Sequence, residues 1–282
     1  MKLVRYGQPG AERPGIIDTD GTLRDLSGHV ADITGAAFEA GLLDTLRGIG
    51  SASLPAVAGA PRLGPCVGDV RTFWAIGLNY TDHAEETGAP IPKEPILFNK
   101  ARSCIVGPND TVVLPPGSRE TDWEVELALL IGRSCYRIDR TEAAAVIAGY
   151  FICNDISERD FQLKREGLWT KGKCCPTFGP IGPWLVTPDE FGDPQDKHLW
   201  LDLNGERMQT GHTARMIFPV TEIVSYLSHF VRLEAGDIIT TGTPPGVGLG
   251  MKPNRFLRPG DEMRLGIDGL GEQRQSVVAY HG

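Results

Sequence analysis

No stretch of this 282-residue chain approaches the length of a membrane-spanning helix, and the opening M-K-L-V-R-Y-G-Q reads as a strand without an apolar signal core. The expectation is a cytoplasmic protein. Basic residues are outnumbered, 28 Lys and Arg against 36 Asp and Glu, which gives a formal net charge of -8. With no basic cluster to offset that balance, binding to nucleic acid or to an anionic membrane is disfavoured and a small-molecule partner is expected. The six cysteines (Cys66, Cys104, Cys135, Cys153, Cys174 and Cys175) show no C-x-x-C spacing, so neither a zinc site nor a disulfide framework is indicated. The vicinal pair Cys174-Cys175 is read as incidental to catalysis. No G-x-S-x-G elbow is present to carry a serine nucleophile. The glycine-rich tract T-G-T-P-P-G-V-G-L-G lacks the Lys-Ser/Thr of a nucleotide-binding loop and opens no helix. It reads instead as a tight turn that offers backbone N–H groups and the Thr243 hydroxyl. No fixed-period repeat is visible, which argues against solenoids and propellers.

Glycine (35) and proline (21) are plentiful, about a fifth of the chain together, a turn-rich composition that predicts many short strands. Residues 1–68 read as a small N-terminal α/β domain, with strands at 2–6 and 15–18, a turn at Asp20-Gly21 and a helical stretch over 31–46. Residues 69–282 read as a strand-rich domain built from R-T-F-W-A-I-G-L, T-V-V-L-P, W-E-V-E-L-A-L-L-I-G, G-Y-F-I-C-N-D and I-G-P-W-L-V-T. Asn204-Gly205 between alternating strands signals a hairpin. An alanine-rich helix is expected over 141–148, and Pro219 is expected to open a second one carrying Val220, Ile223, Val224 and Leu227. The fold class is α+β, mainly β.

Three carboxylates alternate through T-D-W-E-V-E: Asp122, Glu124 and Glu126. On a strand they share one face at a spacing of roughly 6.5 Å, close enough to repel unless a cation intervenes. An isolated E-x-E is more often a solvated strand face, so the motif takes its weight from its surroundings. A second acidic cue, Asn154-Asp155, ends the apolar run G-Y-F-I-C-N-D. Oxygen-only donors from neighbouring strands suit a hard divalent ion such as Mg2+ or Mn2+, at a strand rim peripheral to the core.

Two further segments carry chemistry. In G-L-N-Y-T-D-H-A-E-E, His83 and Glu86 are three apart and meet if the segment is helical. A carboxylate paired with imidazole fixes its tautomer and raises its basicity, as a water-activating base requires. The segment following Asp155 carries Arg159, Gln162, Lys171 and Lys173 together with Trp169, and its cations suit a substrate carboxylate or a developing enolate. Lys164, Arg165 and Lys171 read as solvated.

Taken in order, G-L-N-Y-x-D-H-x-x-E, E-P-I-L-F-N-K, W-E-V-E, N-D-x-S-E-R-D-F-Q, W-x-K-G-K, F-G-P-I-G-P and T-G-T-P-x-G-V-G resemble the fumarylacetoacetate hydrolase family from about residue 70 to the C-terminus. The tract K-G-K-C-C-P-T-F-G-P-I-G-P-W-L-V-T is similar to its bacterial branch named for 2,4-diketo-3-deoxy-L-fuconate hydrolase, also labelled ureidoglycolate lyase. The resemblance implies a mixed β-sandwich roll with a small N-terminal domain, usually dimeric. It implies that Glu124, Glu126 and Asp155 bind Mg2+ or Mn2+, with Asp122 outside that set. It makes His83 and Glu86 a water-activating dyad on a lid, Lys173 a catalytic residue, and Arg159, Gln162 and Thr243 substrate contacts. The implied reaction is hydrolysis of a 2,4-dioxo acid to pyruvate and a carboxylic acid, in a cytoplasmic homodimer. Decarboxylation, tautomerisation or ureidoglycolate lysis on the same site, or a catalytically silent metal-binding homologue, are the alternatives.

Overall fold

The computed structural model describes residues 1–88 and 90–281, the side chain of Thr87 excepted. The strands Val125–Ile131 and Ile147–Asn154 are buried along their whole length and pair antiparallel, with Cys153 opposite Glu126 and Asn154 opposite Val125. Runs such as V-E-L-A-L-L-I and I-A-G-Y-F-I-C-N are apolar except at Glu126 and the terminal Asn154, the pattern of strands covered on both faces. Around them a ten-stranded mixed sheet extends one way through Gly179–Val186 to Lys2–Tyr6, Arg13–Ile17 and Leu23–Asp25. The other way it runs through Ile238–Thr240 and Phe73–Gly77 to Ile96–Lys100. The first three strands of the chain therefore extend the main sheet, through Lys2 opposite Val186 and Leu3 opposite Leu185.

A second sheet of five strands holds the hairpin His198–Leu203 and Glu206–His212, then Glu262–Ile267, Gly271–Ala279 and Val112–Leu114. Asn204 and Gly205 both adopt positive φ at the hairpin turn, as the sequence predicts. The two sheets are joined by buried polar contacts as well as apolar ones. Gln209 accepts from the Val125 N–H at 3.0 Å, and Asn154 donates to Gln275 at 3.1 Å. These side chains satisfy groups that would otherwise be buried unpaired.

Two expected helices differ. The predicted helix over 31–46 is two short ones, Gly35–Glu39 and Leu42–Arg47, separated at Gly41 where φ is +93°. The alanine-rich segment forms a single 3-10 turn, Ala143–Val146, and enters a strand at Ile147. Pairing of Ile147 with Ile131 outweighs alanine's helix preference, and Gly149 is required because a Cβ there would sit 2.6 Å from the Val186 carbonyl. The helix Val220–Phe230 forms as expected, with Pro219 at its N-cap and Val220, Ile223, Val224 and Leu227 inward. No helix among the described residues is long and apolar enough to cross a membrane.

Candidate active site

The central antiparallel ribbon is interrupted. Beyond Val125 opposite Asn154, ladder pairing resumes only at Asp122 opposite Ser157. In the gap, the Asp155 N–H donates to the Glu124 carbonyl at 2.9 Å, and the Asn154 side chain accepts from the Glu124 N–H at 3.1 Å. This local break turns the carboxylates of Glu124 and Asp155 toward Glu126. One ligand oxygen from each of the three lies within 4.8 Å of the others. The triad is not a peripheral rim, as the alternation suggested: its members are only 1–6 % exposed, because they stand on the two central strands of the ten-stranded sheet and where these strands run on.

Asp122 faces a different set of partners. Its carboxylate accepts from the Gly248 N–H at 2.6 Å and the Leu249 N–H at 3.0 Å, and pairs with Arg159 at 2.8 Å. The Arg159 guanidinium bridges onward to Glu124 at 2.7 Å and to Gln162 at 3.0 Å. Lys173 donates to Glu124 at 2.6 Å and to Asp155 at 2.7 Å. It is delivered by the short helix Thr170–Lys173, whose Gly172 packs where a Cβ would meet the Glu158 carbonyl at 2.5 Å. A third cation, Lys100 of E-P-I-L-F-N-K, is fully buried; it ion-pairs with the other oxygen of Asp155 and donates to the Phe178 carbonyl at 2.9 Å.

The triad and Asp122 thus set four carboxylates against three cations, and the uncompensated charge falls on Glu126. Among the described residues it has no ion pair; the Gly242 N–H at 2.9 Å is its hydrogen-bond donor. Gly242 has φ of +92°, and a Cβ there would lie 2.8 Å from Asn79. Burial and the charges of Asp155 and Glu124 push the Glu126 carboxyl well above its ordinary value of 4.5. Burial also resists ionisation of Glu124, but Lys173 and Arg159 outweigh it and hold that carboxyl at about 2. A buried, all-oxygen set with one unmatched negative charge fits a divalent cation, which would reverse the local charge and favour an anionic ligand.

His83 lies on the helix Thr81–Thr87, and its Nδ1 is 3.0 Å from Glu86. The other Glu86 oxygen accepts from the Gly246 N–H at 3.0 Å, which ties this helix to the glycine-rich tract. The base of the helix is fixed by Asn79, which bonds to the Thr241 and Phe218 carbonyls at 2.8 and 3.1 Å. His83, Glu124, Glu126, Asp155, Arg159, Gln162, Lys173 and Thr243 all line one cavity of about 130 Å³. The Thr243 hydroxyl is engaged internally, donating to the Val125 carbonyl at 2.9 Å and accepting from Gln209 at 2.8 Å. Lys164, Arg165 and Lys171 are exposed, as expected.

Sequence reasoning did not single out Lys100 or the role of Asp122 in holding Arg159. The signal for Lys100 was a lysine ending the strand I-L-F-N-K, two residues after an apolar run. Phe98 and Trp169 also line the cavity, their rings 5.2 Å apart at 69°. The six cysteines are free thiols, and Cys174 accepts from the Ala101 N–H at 3.0 Å.

A buried acidic triad and a histidine–carboxylate pair opening on one cavity of a mixed β fold define a metal-assisted enzyme of the kind the motifs resemble. Residues 72–278 match the model of the fumarylacetoacetate (FAA) hydrolase C-terminal domain, and the chain belongs to that family of hydrolases and isomerases. A protein of Burkholderia ambifaria (strain MC40-6), named only as a hydrolase, is 56 % identical over 278 residues, 98 % of this chain and 99 % of that one. Among solved structures, 5-carboxymethyl-2-hydroxymuconate delta-isomerase from Mycobacterium smegmatis is 31 % identical with a TM-score of 0.79 over the full length of both chains. Maleylpyruvate hydrolase from Sphingobium sp. SYK-6, in complex with manganese(II) and pyruvate, is 28 % identical with a TM-score of 0.83, again over both full lengths.

Proposed function

We propose that this protein is a divalent-metal-dependent hydrolase that cleaves the C3–C4 bond of a 2,4-dioxo acid to pyruvate and a carboxylic acid. The observation that carries the reading is the convergence of Glu124, Glu126 and Asp155, with donor atoms within 4.8 Å, on the cavity that His83 also lines. Mg2+ or Mn2+ held by those three carboxylates would supply a Lewis-acid seat for the 2-oxo acid end of the substrate. The manganese and pyruvate bound by the Sphingobium hydrolase support this choice.

The protein's own groups do the rest. Glu86 holds the His83 Nδ1, which directs the other ring nitrogen to take a proton from water as it adds to the 4-oxo carbon. Bond cleavage then leaves negative charge on the three-carbon fragment. Lys173, already poised between Glu124 and Asp155, and Arg159 beside it lie where that charge develops. A proton delivered to C3 completes pyruvate.

Isomerisation of an unsaturated oxo acid is the second reading, supported by the full-length likeness to the Mycobacterium smegmatis isomerase. The two separate on water. Incubation of 2,4-dioxopentanoate with metal-loaded protein is expected to release pyruvate and acetate in equal amounts. Loss of the enol absorbance without pyruvate would favour the isomerase reading, and loss of carbon dioxide would favour a decarboxylase.

A further inference from the structure

Resting on the reading just proposed, we infer that the acyl half of the substrate is short, apolar and uncharged, and that the wall formed by Phe98, Trp169, Leu163 and Leu249 selects it. The wall runs outward from the cations. The Lys173 ammonium sits 5.3 Å from the centre of the Phe98 ring, Phe98 meets Trp169 edge-on, and Trp169 packs on the backbone of Gly77. A Cβ at Gly77 would lie 2.4 Å from the indole, so the glycine is what allows the ring to close this side of the cavity. Ile76, Leu78, Leu163 and Leu249 complete the lining. In this wall the indole N–H of Trp169 is the only polar side-chain group.

The charged groups gather at the inner end of this wall, where the Phe98 ring meets Lys173 and the Leu249 N–H bonds to Asp122. The cations that line the cavity, Arg159 and Lys173, are each bonded to Glu124 and to a second carboxylate. A 2,4-dioxo acid with a second carboxylate on its acyl chain would leave that charge facing hydrocarbon without a partner, which is strongly unfavourable. A polyhydroxylated chain would lose hydrogen bonds to water and regain few. A methyl, ethyl or propyl group would lose nothing and bury its surface against the rings. Leu163, 45 % exposed at the mouth, extends the same apolar character to the rim. The wall thus sets this chain apart from the sugar-acid substrates that its K-G-K-C-C-P-T-F-G-P tract suggests.

Two measurements test the wall, the second of them independently of turnover. In the first, kcat/KM is compared for 2,4-dioxopentanoate, for a dioxo acid ending in a second carboxylate, and for a hydroxylated 2,4-diketo-3-deoxy acid. The neutral acyl substrate is expected to lead the dicarboxylate by about 100-fold, since binding sites reject unpaired charge that strongly. Leu163→Arg, a surface-accessible change outside the catalytic groups, is expected to narrow that gap about 10-fold. In the second, calorimetry with Mg2+ present compares 2-oxoglutarate with 5-methyl-2-oxohexanoate, in which two methyl groups replace the terminal carboxylate oxygens. Tighter binding of the methyl compound supports the inference even if no dioxo acid is turned over, a result that would count against the proposed reaction alone. Preference for the charged or hydroxylated compound, or a gap unmoved by Leu163→Arg, overturns it.

Discussion

The ammonium of Lys173 lies 2.6 Å from Oε2 of Glu124, so the cation proposed to meet substrate charge is already held by a carboxylate of the acidic triad. Binding and chemistry are coupled through this pair. Lys173→Met would remove a positive charge that competes with a divalent ion for Glu124 and Asp155. Metal affinity is therefore expected to hold or rise, while turnover falls by about 100-fold, the scale for losing a preorganised charge. Lys171→Met, at an exposed side chain two residues away, should leave both unchanged. Equal effects of the two changes would remove Lys173 from the mechanism.

Glu126 and Asp122 separate metal binding from scaffold. Glu126→Gln should weaken Mg2+ or Mn2+ binding, measured by calorimetry, with little change in unfolding. Asp122→Asn is expected to act the other way, because Asp122 holds Arg159 and the 248–249 turn. Leaving a buried guanidinium short of one partner costs about 3 kcal/mol. Denaturant titration should show that loss, and metal affinity should change less than in Glu126→Gln.

Two carboxyls two residues apart give opposite pH signatures. Glu124, held at about 2 by Lys173 and Arg159 against burial, adds stability that is present above 4.5 and lost as pH falls toward 2. Glu126, pushed up by burial, Asp155 and Glu124, binds its proton more tightly folded than unfolded, so it costs stability as pH rises above 4.5. A divalent ion competes with that proton. Metal affinity is expected to increase with pH through the acidic range, with proton release on binding. Titrations in buffers of different ionisation enthalpy would reveal it; a pH-independent affinity would show Glu126 already ionised.

Lys100→Met tests a residue that the motifs did not bring forward. Its ammonium is buried against Asp155 and the Phe178 carbonyl, and burial, which favours the neutral amine, is outweighed by Asp155. Removing it should destabilise the fold by about 3 kcal/mol. Retention of wild-type stability would mean that Lys100 is dispensable for holding Asp155.

Much of the site could be read from the chain because its parts are local. The E-x-E spacing and the Asn154-Asp155 strand end marked the triad, and the three-residue spacing of His83 and Glu86 gave a pair that forms on a real helix. Contacts made across long sequence distances were not legible. Gly242 reaches Glu126 from 116 residues away, and Gly246 reaches Glu86 from 160. Local pattern also misled where pairing outweighed propensity, as at 143–148. The break in the ladder between Val125 and Asp122, which turns the carboxylates together, leaves no periodic trace in the sequence.

The most direct test of the account combines metal titration and turnover on His83→Ala. The imidazole lines the triad's cavity and pairs with Glu86, but it belongs to the helix Thr81–Thr87 rather than to the triad. The account predicts metal affinity close to wild type and hydrolysis of 2,4-dioxopentanoate reduced by about 100-fold or more, the scale for losing a general base. Pyruvate release at the wild-type rate by metal-loaded His83→Ala would contradict it.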